Sequence, residues 1–255
     1  MFASAAQIAV KYWPMFWAGI KVTLLIALTG TILGLLIGLV VGSIRAVTSK
    51  KEPRDSMAAR VVKKLVYFLT SVYVEFFRGT PMIVQGVFFF YGLKPYFDWT
   101  PTVAGIFVIS INTGAYMAEI LRSGIQSVDV GQTEAARSIG MTPGQTMLHV
   151  VLPQAIKNAF PAIGNEFVVN IKDSSVLNAI SLTELYFQSM KIAGTIFDFT
   201  STMLVTSLIY LVLTFTTTRI LRLIEIRLNQ APSSFPASQT VPEASITITQ
   251  KKGVG

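Results

Sequence analysis

The 255-residue sequence has no cysteine and a single histidine, His149. The absence of cysteine excludes disulfide bonds and thiolate metal sites, and one histidine cannot supply two haem ligands within one chain. The sequence also lacks a G-x-x-x-x-G-K-[ST] phosphate-binding loop, so we do not expect this chain to hydrolyse ATP itself. We therefore expect no catalytic residue, no bound metal and no cofactor in this chain.

Charged residues are also scarce. They make up 13% of the chain, whereas hydrophobic residues make up 52%, a balance that excludes an ordinary soluble domain. The net charge of +8 would suit a nucleic-acid-binding protein if the chain were soluble. In a membrane protein, lysine and arginine in cytoplasmic loops explain it more simply. We expect contact with a lipid bilayer and not with nucleic acid.

Five apolar stretches are long enough to cross a bilayer core about 30 Å thick. They cover residues 22–44, 65–93, 101–118, 152–171 and 199–218. The second is longer than one crossing requires, and Gly79-Thr80-Pro81 predicts a break or kink within it. In the fourth, Pro161 and Gly164 predict a further break. The predicted fold is an all-α integral membrane protein with five transmembrane helices.

The distribution of basic residues orients these spans. The loop at 50–64 has the strongest basic excess in the chain, and Arg219, Arg222 and Arg227 follow the last span, so both regions are predicted to be cytoplasmic. Five spans then place the amino terminus outside and the carboxyl terminus in the cytoplasm. Residues 172–198 are predicted to be external, with one short apolar piece at 176–180. We assign residues 1–230 to the membrane domain and predict a disordered tail at 231–255, where Ser, Thr, Pro and Gln dominate.

The first span carries four glycines at every fourth position, Gly30, Gly34, Gly38 and Gly42. This spacing places them on one helix face, where small residues allow two backbones to approach closely. We interpret the face as a packing surface in preference to a ligand surface.

A polar cytoplasmic segment at 129–153 interrupts the hydrophobic pattern. Asp129 can cap a helix that includes residues 134–139, and Gly140 suits its end because that position often needs a positive φ. Thr142-Pro143 fits the start of a second short helix. An ordinary amphipathic element at the membrane surface would share these features, so the residues alone leave both interpretations open.

The same segment carries a motif. It has the order Glu134-Ala135-Ala136, three residues, Gly140, nine residues, Val150, one residue, Leu152-Pro153. This resembles the EAA loop of permeases of importer-type ABC transporters, with Val150 where that family often has isoleucine. Three further segments are similar to the polar amino-acid subfamily, whose members carry histidine, arginine, glutamine and related substrates. They are residues 75–81 with Gln85, Gly114-Ala115-Tyr116 with Ala118-Glu119 and Arg122, and residues 164–166 with Lys172-Asp173. The resemblance covers about residues 14–229.

The resemblance implies a multi-pass permease subunit of an ATP-driven importer in the bacterial inner membrane. It implies a second permease subunit, for which a homodimer is the simplest case, and two cytoplasmic ATPase subunits that bind ATP and magnesium. An extracytoplasmic solute-binding protein would deliver the amino acid, as a separate chain because only about a dozen residues precede the first span. The residues expected to couple to the ATPase are Glu134, Ala135, Ala136, Gly140, Leu152 and Pro153. Glu134 is the expected polar anchor, and the two alanines are expected to permit close seating.

Two other functional classes of membrane protein explain only part of this sequence. A secondary transporter driven by an ion gradient usually has more spans and a detectable internal repeat, neither of which this sequence shows. A non-transporting membrane scaffold explains the glycine face but not the EAA loop or the broken spans. Copurification with an ATPase subunit discriminates against both.

Polar residues within the spans suggest a substrate pathway, because ionisable groups at membrane depth are costly unless paired or facing water. A broken helix exposes backbone groups beside a cavity, so Arg78 is a candidate for holding a carboxylate and Glu166 for holding an ammonium group. Ion pairs Glu75–Arg78 or Glu166–Lys157 are the structural alternative. The full set of pathway candidates is Arg78, Thr80, Gln85, Asn112, Tyr116, Glu119, Lys157, Glu166 and Asn170.

Overall fold

A computed structural model describes residues 2–49 and 56–229, and the regular structure of these residues is helical throughout. The predicted disordered tail and part of the predicted basic loop lie outside the described residues. The α-helices are α1 Phe2–Lys11, α2 Trp13–Thr48, α3 Met57–Gly79, α4 Met82–Leu93, α5 Pro101–Gln126, α6 Val130–Ser138, α7 Pro143–Thr146, α8 Leu152–Asp173, α9 Leu185–Ile196 and α10 Phe199–Asn229. The all-α prediction is confirmed.

Three helices, α2, α5 and α10, are long and apolar enough to cross a membrane. Each extends beyond the apolar stretch predicted for it, since a helix can continue into the polar turns that flank a span. The second predicted span corresponds to α3 and α4 together, and the fourth corresponds to α8. The count of five spans and the orientation of the termini stay predictions.

Helices α2 and α5 pack face to face along the glycine face. Gly30, Gly34, Gly38 and Gly42 are all buried. A Cβ atom added to Gly34 would lie 2.8 Å from Cβ of Thr113, and one added to Gly42 would lie 2.9 Å from the carbonyl oxygen of Ala118. The backbones therefore approach too closely for any side chain here, and the predicted packing surface is confirmed.

The segment at 172–198 differs from the prediction. Where one short apolar piece was predicted, it forms a 3₁₀ helix at Ser174–Ile180 and then α9, and both contribute buried residues to the core. Its location outside the membrane stays a prediction. Glu184 is fully buried, and its carboxylate caps α9 by accepting hydrogen bonds from the amides of Tyr186 (2.8 Å) and Phe187 (2.7 Å). The hydroxyl of Tyr210 also donates to Glu184, at 2.9 Å. These three hydrogen bonds partly offset the cost of burying the carboxylate, and the sequence pattern does not reveal them.

The predicted break in the fourth span is wrong. Helix α8 is continuous from Leu152 to Asp173, with Pro161 in its interior and Gly164 buried. Proline removes one intrahelical hydrogen bond, but helices in a membrane protein tolerate this where neighbouring groups compensate. Helix α8 therefore extends without a break from the end of the segment at 129–153 to the cavity described next.

Candidate substrate cavity and coupling segment

The break between α3 and α4 is confirmed. Helix α3 ends at Gly79, Thr80 and Pro81 are extended, and α4 begins at Met82. Proline fixes its own φ and disfavours the helical conformation for the residue before it. Thr80 accordingly has φ −119° and ψ 145°. The tripeptide therefore ends one helix and starts another, with exposed backbone groups between them.

Gln85 and Asn112 hold this break in place. The Gln85 amide donates to the carbonyl oxygen of Phe77 (3.0 Å) and to the carbonyl and hydroxyl oxygens of Thr80 (3.0 and 2.8 Å). The Asn112 amide donates to the same Phe77 carbonyl (3.0 Å) and to Oε1 of Gln85 (2.9 Å). These bonds satisfy carbonyl groups that the interrupted helix leaves without a partner. Gln85 is only 2% exposed, so it stabilises the helix break from within the protein and does not line the cavity described next.

A cavity of about 510 Å³ lies beside the break, between the α3–α4 junction, α5 and α8. Its walls are formed by Arg78, Gly79, Thr80, Pro81, Met82, Asn112, Tyr116, Glu166, Val169, Asn170 and Asp173. The predicted residues that the structure brings together here are Arg78, Thr80, Asn112, Tyr116, Glu166 and Asn170.

Asp173 lines the cavity but was not among the predicted pathway residues. It follows Glu166 by seven positions and Asn170 by three. In a helix these spacings put all three on one face. The sequence contained this signal, but the assignment of 172–198 to an external segment concealed it.

In the part of the chain that the structure describes, the charged groups of the cavity are not held in ion pairs, although Arg78 and Glu166 attract each other across it. Arg78 lies over the ring of Tyr116, with its guanidinium carbon 5.2 Å from the ring centroid. Within residues 2–49 and 56–229, Arg78, Glu166 and Asp173 make no side-chain hydrogen bond or ion pair. The alternative pairs Glu75–Arg78 and Glu166–Lys157 are not formed, and Lys157 is exposed, away from this cavity. These charges are therefore available to a ligand.

Asn170 ties the cavity wall to the core. Its amide donates to Oγ1 of Thr31 at 2.9 Å, and its Oδ1 accepts from Oγ1 of Thr113 at 3.0 Å. All three side chains are buried. These hydrogen bonds connect α2, α5 and α8 next to the cavity.

Glu119 belongs to a different cluster. Its carboxylate pairs with Arg45 of α2 and with Arg122 one turn further along α5, where the Arg122 Nη2 to Glu119 Oε2 distance is 2.8 Å. Arg45 is only 8% exposed. This cluster joins two helices, and Glu119 does not line the cavity at the break.

The segment at 129–153, called the coupling segment below because of its predicted role, begins with α6. The Asp129 side chain caps it by accepting from the amide of Gly131 at 2.7 Å. At the other end, the Gly140 amide donates to the carbonyl of Arg137 (3.0 Å) and the Met141 amide donates to that of Ala136 (3.1 Å). This pair of bonds is the Schellman motif. Gly140 has φ +86°, so the turn expected at this glycine is confirmed.

The second predicted short helix, α7, starts as predicted but is not a separate helix. Thr142 and Gln145 form a capping box, and Pro143 occupies the first turn of α7. The chain then continues through a π-helical turn at Met147–Val151 directly into α8. Pro153 has no amide hydrogen, and the wider turn accommodates that missing bond. The second short helix is therefore not separate, because α7 and the π-helical turn form an extension of α8.

The predicted coupling residues differ in exposure. Glu134, Ala135, Gly140 and Pro153 are exposed, and Leu152 is half-buried. Ala136 is only 5% exposed. It packs against other residues of this chain, whereas it was predicted to contact the ATPase. Three large apolar side chains of the segment are exposed, namely Val130 (71%), Ile139 (78%) and Leu148 (60%).

Comparison with known proteins gives a consistent result. Residues 56–230 match the family described as binding-protein-dependent transport system inner membrane component. The chain is similar to a probable amino-acid ABC transporter permease protein of Sinorhizobium fredii, with 32% identity over 86% of this chain and 90% of that protein. It is also similar to the glutamine transport system permease protein of Escherichia coli K12, with 34% identity over 62% of this chain and 73% of that protein. Among solved structures, an amino acid ABC transporter crystallised with histidines has 36% identity and a TM-score of 0.74 over 86% of this chain and 96% of that chain.

Proposed function

The chain belongs to the family of binding-protein-dependent transport system inner membrane components, the multi-pass permease subunits of ABC importers, and we propose that it passes a polar or charged amino acid into the cell through the cavity at the helix break. Its similarity to amino-acid permeases supports this cargo. The ion-gradient alternative has no support among these relatives.

The observation that carries the proposal is the set of three charged side chains in that cavity that form no hydrogen bond or ion pair with the described residues. Arg78 offers a guanidinium group, and Glu166 and Asp173 offer two carboxylates. An amino acid supplies the complementary groups, since its carboxylate can accept from Arg78 and its ammonium group can donate to Glu166. Asp173 is then free for a polar or cationic substrate side chain.

Because the cavity has two carboxylates and one guanidinium group, it should discriminate against acidic amino acids. An acidic amino acid would bring a second carboxylate close to Glu166 and Asp173, and like charges at short range repel. We expect basic and neutral polar amino acids to compete for uptake into proteoliposomes. Aspartate and glutamate should compete at least about tenfold less well, a difference equivalent to about 1.4 kcal/mol. Equal competition by glutamate and arginine would contradict this charge assignment.

Energy is proposed to come from partner subunits. ATP and magnesium would be bound by a cytoplasmic ATPase dimer, a second copy of this permease would complete the membrane portion, and a separate solute-binding protein would deliver the amino acid. The exposed side chains of Val130, Ile139 and Leu148 support a partner at the coupling segment, because large apolar groups exposed beside water often mark a binding surface. Glu134 and Ala135 are exposed on the same short segment.

Copurification of the ATPase subunit with the tagged permease tests this arrangement. Gly140→Val should reduce copurification and uptake, because a side chain at φ +86° strains the turn by about 1–3 kcal/mol. Gly144→Val is the matched control. Gly144 also has open space around it but does not have a positive φ, so copurification should be retained. Normal copurification and uptake with Gly140→Val would contradict the proposed role of this turn.

A further inference from the structure

A second cavity, also of about 510 Å³, lies on the other side of Arg78. Its walls include Arg78, Glu119, Ser123, Ser127, Asn158 and Ala162. Arg78 also lines the cavity at the helix break. The two spaces are therefore neighbours that share one charged side chain as part of their walls.

The second cavity lies between the first cavity and the coupling segment. Along α5, Tyr116 lines the first cavity and Ser127 the second, about 16 Å further at a rise of about 1.5 Å per residue. Asp129, the cap of α6, follows two residues after Ser127. Along α8 the order is reversed, because Asn158 near its start lines the second cavity and Glu166 lines the first. Both helices therefore place the second cavity toward the coupling segment.

The chemistry of the second cavity differs from that of the first. The Glu119 carboxylate is already paired with Arg45 and Arg122. Apart from Arg78 at the boundary with the first cavity, the other polar side chains are uncharged. The Asn158 amide donates to the hydroxyl of Ser127 at 3.0 Å. Hydroxyl and amide groups can replace water around a polar solute without the strong attraction of an unpaired charge. Such walls suit passage and release better than tight binding.

We propose that this second cavity is the vestibule through which the amino acid leaves toward the cytoplasm, and that Arg78 is the barrier between it and the substrate cavity. The inference rests on the proposed function, because it takes the first cavity as the substrate site. Movement of the Arg78 side chain away from the ring of Tyr116 would join the two spaces. The ends of α5 and α8 that flank the vestibule continue into the coupling segment, so a displacement of that segment changes the width of the vestibule.

Obstruction of the vestibule in the folded protein tests the proposal. The chain has no cysteine, so Ser123→Cys provides a single thiol, and Ser123→Ala is the control for loss of the hydroxyl. Uptake by each unlabelled variant, in proteoliposomes that contain the complete transporter, is the reference for the labelled form of that variant. Reaction of Ser123→Cys with a benzyl methanethiosulfonate should then lower uptake at least tenfold, while amino-acid affinity changes less than twofold. Gln126→Cys, exposed on the same helix but lining neither cavity, should remain active after the same treatment.

Labelling from the cytoplasmic side tests the barrier. A membrane-impermeant thiol reagent should react with Ser123→Cys at least tenfold faster than with Val169→Cys, which lines the first cavity. Adding Arg78→Ala should speed the reaction of Val169→Cys. Equal labelling of the two thiols, or unchanged uptake after modification of Ser123→Cys, would overturn the inference. Failure of the proposed function would be distinguished by the absence of amino-acid binding to the unmodified transporter.

Discussion

The two cavities differ in whether their acidic side chains form ion pairs within the described part of the chain. In the cavity at the helix break, Arg78, Glu166 and Asp173 form no ion pair with the rest of the described chain, whereas in the vestibule Glu119 is bonded to both Arg45 and Arg122. Charges within a membrane protein are costly unless they are compensated. We infer that the paired cluster stabilises the fold, while the unpaired groups are retained because a ligand compensates them.

Removal of Glu119 is the largest perturbation we expect. Glu119→Ala leaves the guanidinium of Arg45, which is 8% exposed, without an anion. Breaking a buried pair in this way typically destabilises a protein by about 3–5 kcal/mol. Thermal unfolding of the purified permease should show a clear decrease in Tm. Arg122→Gln should have a smaller effect, because the Arg122 side chain is 33% exposed. An unchanged Tm in Glu119→Ala would remove the distinction between the two clusters.

A smaller loss of stability is expected at the hydrogen bonds behind the substrate cavity. Thr31→Val leaves the buried amide of Asn170 without its acceptor on α2, and an unsatisfied buried donor costs about 1–3 kcal/mol. Thermal unfolding should show a modest decrease in Tm, and amino-acid affinity should also fall because Asn170 lines the cavity. Thr29→Val is a suitable control, since the Thr29 hydroxyl is bonded only within its own helix. Equal effects of the two substitutions would show that the contact with Asn170 contributes nothing specific.

The features that were predictable from sequence depend on local backbone constraints. Pro81 constrains Thr80, the residue before it, and Gly140 permits a positive φ, so the helix break and the turn were found without knowledge of the fold. The every-fourth spacing of the four glycines likewise fixes one face of one helix. Each of these signals lies within a few residues of chain.

The remaining features depend on contacts between distant segments. Glu119 lines the vestibule, but its charge is paired with Arg45, which lies 74 residues away in the sequence. The buried carboxylate of Glu184 accepts a hydrogen bond from the hydroxyl of Tyr210 on another helix, a contact that the sequence pattern does not show. Tertiary pairing decides whether a charge is structural or available, and composition alone does not determine it.

The central claim is that the unpaired charges at the helix break bind the amino acid. The most direct test is the equilibrium affinity of the purified transporter for its amino acid, compared between the natural protein and Glu166→Gln. Because the substitution removes one charge and leaves the shape of the side chain nearly unchanged, we predict at least a tenfold weaker affinity, equivalent to about 1.4 kcal/mol. Tm should not change, since Glu166 has no ion pair to lose. Unchanged affinity in Glu166→Gln would contradict the account.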